Sequence, residues 1–267
     1  MKPLSISRAW EETVAFVKRE GSLLFPVALL FLALPIVLFQ QMVPPELMAN
    51  IMKAEAGRGQ AALPAVPAGF WLGFALMMIV GLVGALTVYA LALRPGISVG
   101  EAMKLGLQRL PVLLGAGLLV AAAGGLAVLA LAVLAAVFSL VGGAAAVTAL
   151  VTMSVVIAML FAAVRLLLMN ALAIDRPVGP VDAIRQSWAL TRGQFWRLLA
   201  FLAVVIFLTL IVQTAVQSVF GVIGGLVGGA ELALLAGGLA TAAISAVVQV
   251  YFMVMTARIY RQLEGAG

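Results

Sequence analysis

The densest group of side chains able to bind a ligand lies between residues 165 and 197. It combines guanidinium groups, two carboxylates, a hydroxyl and two indoles, a set suited to phosphate head groups or a polar protein surface. The candidate residues are Arg165, Asp175, Arg176, Asp182, Arg185, Ser187, Trp188, Arg192, Trp196 and Arg197. This segment is therefore the predicted site for membrane-lipid head groups or for a protein partner.

Catalytic chemistry has little support in the same residues. The chain has no histidine and no cysteine, which excludes the commonest general base, the commonest metal ligand and a thiol nucleophile. Asp175 and Asp182 are the only acidic residues of this segment, and no phosphate-binding loop or zinc-protease motif is present. We predict neither an enzyme nor a cofactor or metal site.

A second group of polar side chains lies inside strongly apolar sequence. Its members are Gln213, Gln217 and Gln249. In a dry interior such amides must find partners, so they are expected to face other helices. The two readings are hydrogen bonds between helices, or a polar cavity of a transporter or flippase for a lipid-like amphiphile.

The elements that must position these residues are transmembrane helices. Hydrophobic residues make up 65% of the 267 residues and charged residues only 10%, with a mean hydropathy of +1.22, which a water-soluble fold could not bury. We predict an all-α, polytopic transmembrane bundle forming a single membrane domain over residues 1–267. Its six spans are 23–42, 69–93, 111–138, 142–168, 196–220 and 232–257.

Basic residues indicate the orientation. All of the 16 lysines and arginines except Lys53 and Arg58 fall on one side of the predicted topology, so that side, with both termini, is expected in the cytoplasm. The net charge is +6, and the basic residues lie beside the spans and not in a separate domain. We therefore expect anionic lipid head groups, and not nucleic acid, as the counter-charge.

Each predicted pair of spans follows a short amphipathic stretch, which we call an elbow. The three elbows align on Ala9, Ala102 and Ala183, with apolar residues one and five positions later on one helical face. The chain is thus divided into repeat-like units of about 1–93, 94–168 and 169–267. The alternative is that unrelated amphipathic helices align equally well.

Several local features carry their own expectations. Pro26 and Pro35 should kink span one, and Pro111 suits the first turn of span three. Ser98 with Glu101 forms a capping box. The glycines between 221 and 229 suit a tight turn or a helix contact. Arg165 is expected to extend toward the head groups, the alternative being a pair with Asp175.

The segment 165–197 contains Gly-Pro-Val-Asp-Ala-Ile-Arg-Gln-Ser-Trp at 179–188, then Leu-Thr-Arg-Gly at 190–193 and Phe-Trp-Arg at 195–197. This pattern resembles the bacterial glycerophosphoryl diester phosphodiesterase membrane-domain family and related six-span inner-membrane proteins. The resemblance implies six helices, a bacterial inner membrane and a cytoplasmic loop between spans four and five. In some members of that family the membrane domain precedes a catalytic phosphodiesterase domain. We expect no such domain in these 267 residues, so the resemblance predicts no phosphodiesterase activity.

Overall fold

The computed structural model describes residues 5–40, 42–43, 47, 68–139 and 144–265. Helices account for nearly all of this part of the chain, and it contains no strand. The elements are α1 (Ile6–Ala28), a π-helical segment (Leu29–Ala33), α2 (Leu34–Gln40), α3 (Ala68–Leu93), α4 (Val99–Ser139), α5 (Ala144–Leu166), α6 (Met169–Asp175), α7 (Pro180–Leu190) and α8 (Phe195–Glu264).

Six helical stretches are long and apolar enough to cross a membrane, which confirms the all-α, six-span fold. Spans one to six are Ile6–Gln40, Ala68–Leu93, Val99–Phe138, Ala146–Asp175, Phe195–Gly229 and Leu232–Glu264. Large apolar side chains cover their outer surfaces, and Leu226 is 83% exposed. Hydrocarbon is the solvent that tolerates such a surface. The predicted loop 43–68 and the predicted boundary between spans three and four lie mostly outside the described residues.

Span one departs from regular α-helix before Pro35. The Leu34 N–H bonds to the carbonyl of Leu29, five residues back, within the π-helical segment. Pro35 has no N–H to donate and its ring would meet the carbonyl four residues back, so a local change of hydrogen bonding is expected. Phe31 in this segment packs against Gly84 of span two, where a Cβ would lie 2.4 Å from the Phe31 Cβ.

The first two elbows are continuous with the spans that follow them. Pro111, predicted in the first turn of span three, lies instead inside α4, so that prediction was wrong. The helix continues through Pro111, and no glycine of positive φ interrupts α4 in the way that Gly193 ends the third elbow. The capping box that begins α4 is confirmed: the Ser98 N–H donates to Glu101 at 2.9 Å and the Glu101 N–H to the Ser98 hydroxyl at 3.2 Å.

Spans five and six form a hairpin that turns at glycine. Gly229 has φ +74° and Gly228 has φ −144°, so the path of α8 is not helical there, confirming a glycine turn. The arms approach closely beside it, since a Cβ on Gly224 would lie 2.7 Å from the Leu232 carbonyl oxygen.

The elbows gather at one end of the bundle, which we call the elbow end. The second elbow packs on span two, where a Cβ on Gly106 would lie 3.2 Å from the Leu86 Cβ. The third packs on span four, and the first on span six, where the Ser5 N–H donates to Gln262 at 3.2 Å. The second and third elbows thus contact the span that precedes each of them in the chain, and the first elbow contacts span six. Internal duplication remains a prediction.

Candidate functional site

The third elbow is the only one that forms a separate helix. Gly179 precedes it in extended conformation, Pro180 occupies its first turn, and Asp182 places a carboxylate near the N-terminal end of the helix dipole. After Leu190 the chain turns through Gly193, whose φ of +84° lies in the region that favours glycine. This turn redirects the chain, so that α8 begins at Phe195 as an independent helix.

Small residues, and not the apolar stripe, hold the third elbow to the bundle. Ala183, Ser187 and Thr191 are fully buried. The Ser187 hydroxyl donates to the Arg165 carbonyl at 2.8 Å. Trp188, which lies at one of the predicted apolar positions, is partly exposed instead, as is the apolar Val181 on the first turn of α7. Small side chains let helix backbones approach, which leaves the apolar side available to the surroundings.

The other two elbows bury the same positions. Ala9 and Ala102 are fully buried like Ala183, and the residues four positions later, Thr13 and Gly106, are buried too. Residues at the predicted apolar positions, one and five after each alanine, include Trp10, Leu107 and Trp188, which are all exposed by more than a third. The signal that sequence reasoning missed was this small-xxx-small spacing.

Arg165 lies among three aromatic rings. Its guanidinium carbon is 5.1 Å from the ring centre of Phe161, 5.3 Å from that of Trp188 and 5.5 Å from that of Phe195. Its Nη1 also donates to the Thr191 hydroxyl at 3.4 Å. Arg165 forms no ion pair with Asp175 in the described part of the chain, so that alternative was wrong; the extension of Arg165 toward the head groups stays a prediction. Cation–π attraction holds the charge beside the indole.

Asp175 and Arg176 belong to a different cluster that ties the C-terminal helix to the elbow end. Asp175 accepts a hydrogen bond from the Tyr260 hydroxyl at 3.0 Å, with Arg261 at 3.6 Å. Arg176 pairs with Glu264 at 2.7 Å. This hydrogen bond raises the pKa of the Arg176 guanidinium above its ordinary value. Both predicted site residues therefore contribute to packing between segments distant in sequence.

An open groove of about 650 Å³ runs between the third elbow and span three. Arg185, Trp188 and Arg192 line it from the elbow, and Leu119 lines it from the span. Both arginine side chains are exposed, and neither forms an ion pair with a carboxylate in the described part of the chain. The groove therefore combines two uncompensated positive charges, an indole and an apolar wall.

The remaining candidate residues of this segment do not line the groove. Trp196 is 77% exposed and packs its ring edge-on against Phe195 at 5.5 Å. Arg197 donates to Gln194 at 3.5 Å, and Asp182 is exposed on the first turn of α7. Of the ten predicted residues, the structure brings Arg165, Ser187 and Trp188 together around the rings. It brings Arg185, Trp188 and Arg192 together in the groove.

The intramembrane glutamines do not converge on one cavity. The Gln213 side-chain amide donates to the Ser245 hydroxyl at 2.8 Å, joining spans five and six. Gln249 shares with these two residues an open surface groove of about 280 Å³. Gln217 is exposed and does not line that groove. At Gln213 the hydrogen-bonding interpretation describes the geometry.

Comparison with known proteins adds a family but no activity. One family model matches residues 4–263, almost the whole chain. No curated protein and no solved structure matches significantly. Because none of these findings concerns the phosphodiesterase membrane domain, that resemblance stays a prediction. The chain belongs to the family described as domain of unknown function DUF7847.

Proposed function

We propose that the protein is a non-enzymatic membrane module that binds anionic phospholipid head groups in the groove between its third elbow and span three. The single observation that carries this proposal is the pair of unpaired guanidinium groups, Arg185 and Arg192, flanking the Trp188 indole against the Leu119 wall. We place the elbow end in the cytoplasm, because nearly all lysines and arginines belong to segments at that end. The bacterial inner membrane is what the resemblance of residues 165–197 implies.

The chemistry of the groove fits such a ligand at each point. Guanidinium groups bind phosphate oxygens through charge-assisted, often bidentate hydrogen bonds. Indoles favour the level of the head groups, where one edge is apolar and the other is wet. Leu119 belongs to a span, so an acyl chain beside it would continue into the bilayer while its phosphate stayed at the arginines. A membrane-embedded protein partner is the competing occupant.

Quenching of Trp188 fluorescence tests the proposal. The chain has four tryptophans; replacing Trp10, Trp71 and Trp196 by phenylalanine leaves Trp188 as the reporter. The protein is reconstituted in phosphatidylcholine nanodiscs with increasing brominated phosphatidylglycerol, or with brominated phosphatidylcholine as the neutral comparison. We expect the anionic lipid to quench at a several-fold lower mole fraction, because it is enriched at the arginines.

Charge-matched variants distinguish lipid binding in the groove from general electrostatic attraction of anionic lipids to the protein. Arg185→Gln with Arg192→Gln should remove the anionic preference. Lys104→Gln with Arg197→Gln removes the same net charge outside the groove and should preserve it. Equal quenching by the two lipids in the parent protein contradicts the proposal, and so does equal loss in both double variants.

Transport of a lipid-like amphiphile is the weaker hypothesis. It is favoured only by Gln213, Ser245 and Gln249 along one open groove, and Gln213 is already engaged with Ser245. A fluorescent phospholipid that crosses reconstituted vesicles faster with the protein than without it, and slower with Gln249→Leu, would support it. An unchanged rate of crossing would contradict transport and would leave head-group binding as the remaining hypothesis.

A further inference from the structure

The two arginines of the groove lie too far apart along the helix for one phosphate to bind both. Arg185 and Arg192 are seven residues apart on α7 and the turn after it. Seven residues are close to two helical turns, about 10 Å along an axis, with both side chains near the same face. Both line the same groove.

Trp188 lies between them along the helix and is fixed in place. Its ring packs against Phe161 at 5.4 Å between centroids and against the Arg165 guanidinium at 5.3 Å. The indole therefore divides the groove into two basic positions. A phosphate bound at one arginine leaves the other arginine on the far side of the ring.

Charge complementarity leads to the same ligand. One phosphodiester carries one negative charge and would neutralise one of the two guanidinium groups, leaving the second beside an apolar wall. Two phosphodiesters on one molecule satisfy both groups, and the second contact forms without another loss of translational freedom.

We infer that the groove selects a lipid with two phosphodiester groups joined by a short linker, with one phosphate at Arg185 and the other at Arg192. This inference rests on the proposed function, since it specifies the class of anionic lipid that the same groove takes. It makes Trp188 the residue that sets the spacing of the two phosphates.

A charge-matched titration tests this selection. The probe is cardiolipin, which has two phosphates, compared with phosphatidylglycerol, which has one, at twice the mole fraction in phosphatidylcholine nanodiscs. Bound lipid is measured by native mass spectrometry of the intact, delipidated and reloaded protein. We expect at least about tenfold tighter retention of cardiolipin, the effect of one extra charge-assisted contact.

Single substitutions show whether both arginines take part. Arg185→Gln and Arg192→Gln should each reduce the preference to about onefold while retaining weaker binding of phosphatidylglycerol, and Lys104→Gln should leave it unchanged. Equal retention of the two lipids at matched charge overturns this inference but keeps the proposed function. The same holds if only one of the two substitutions abolishes the preference for cardiolipin. Retention no greater than that of phosphatidylcholine overturns both. Each variant's helical circular dichroism must match that of the parent.

Discussion

The contact between Gly84 of span two and Phe31 of span one predicts a large effect from a single methyl group. An alanine Cβ at position 84 would lie 2.4 Å from the Phe31 Cβ and 3.4 Å from the Phe31 carbonyl carbon. Favourable carbon contacts lie at about 3.5–4.0 Å. Because the Cβ is fixed to the backbone, no rotamer change relieves the clash, and the two spans must separate by about 1 Å.

Gly117→Ala provides the control, since a Cβ at Gly117 meets nothing within 4 Å. Both substitutions gain the same helix propensity of alanine over glycine, so their difference isolates the clash. Overpacking of this kind costs about 1–3 kcal/mol, and we expect Gly84→Ala to lower the free energy of unfolding by that amount relative to Gly117→Ala. Titration with sodium dodecyl sulfate in mixed micelles, followed by circular dichroism, measures the difference.

The position of the clash makes the prediction specific. Phe31→Ala keeps the offending Cβ, so Gly84→Ala should still be destabilising in that background. Phe31→Gly removes it, so the cost of Gly84→Ala should disappear there. If the cost is absent in the native background, or is relieved by Phe31→Ala, the close approach of the two backbones is refuted.

Three further predictions concern the elbow end and the hairpin. Arg165→Gln should lower the free energy of unfolding by about 1–2 kcal/mol through lost cation–π contacts, while exposed Lys104→Gln should change it by less than about 0.5 kcal/mol in the same titration. Gly193→Ala should cost about 1–2 kcal/mol because of its φ of +84°, whereas Gly100→Ala, inside α4, should cost nothing; comparable midpoints would contradict the strained turn. A double-mutant cycle of Gln213→Leu and Ser245→Ala should give a coupling of about 0.6 kcal/mol, and zero coupling would argue against their hydrogen bond.

Local features were predictable from the sequence because their causes lie within a few residues. Span length follows from bilayer thickness and the run of apolar residues. The capping box at Ser98 and Glu101 needs only three residues of spacing, and the turn at Gly229 needs only a residue tolerant of positive φ. The number of spans, the capping box and the glycine turn are confirmed, whereas the helices extend beyond most of the predicted bounds of the spans.

The candidate site was less predictable because its geometry depends on contacts between distant segments. Periodicity rules assume water outside, so they turn the apolar side of an elbow inward; with hydrocarbon outside, small residues such as Ser187 form the contact. Arg165 and Asp175 are close in sequence, yet α6 carries Asp175 to Tyr260 of the last helix, 85 residues away. No local pattern specifies that partner.

The contact between the first elbow and span six has a consequence for biogenesis. Ala9, Thr13 and Phe16 are buried in the finished protein, yet a ribosome produces Arg258 and Gln262, on the other side of that seam, about 250 residues later. Until then the side of the first elbow that meets span six has no permanent partner and must wait at the membrane surface. Final assembly is therefore a ring closure, and a chain stalled before span six would expose that seam to quality-control proteases.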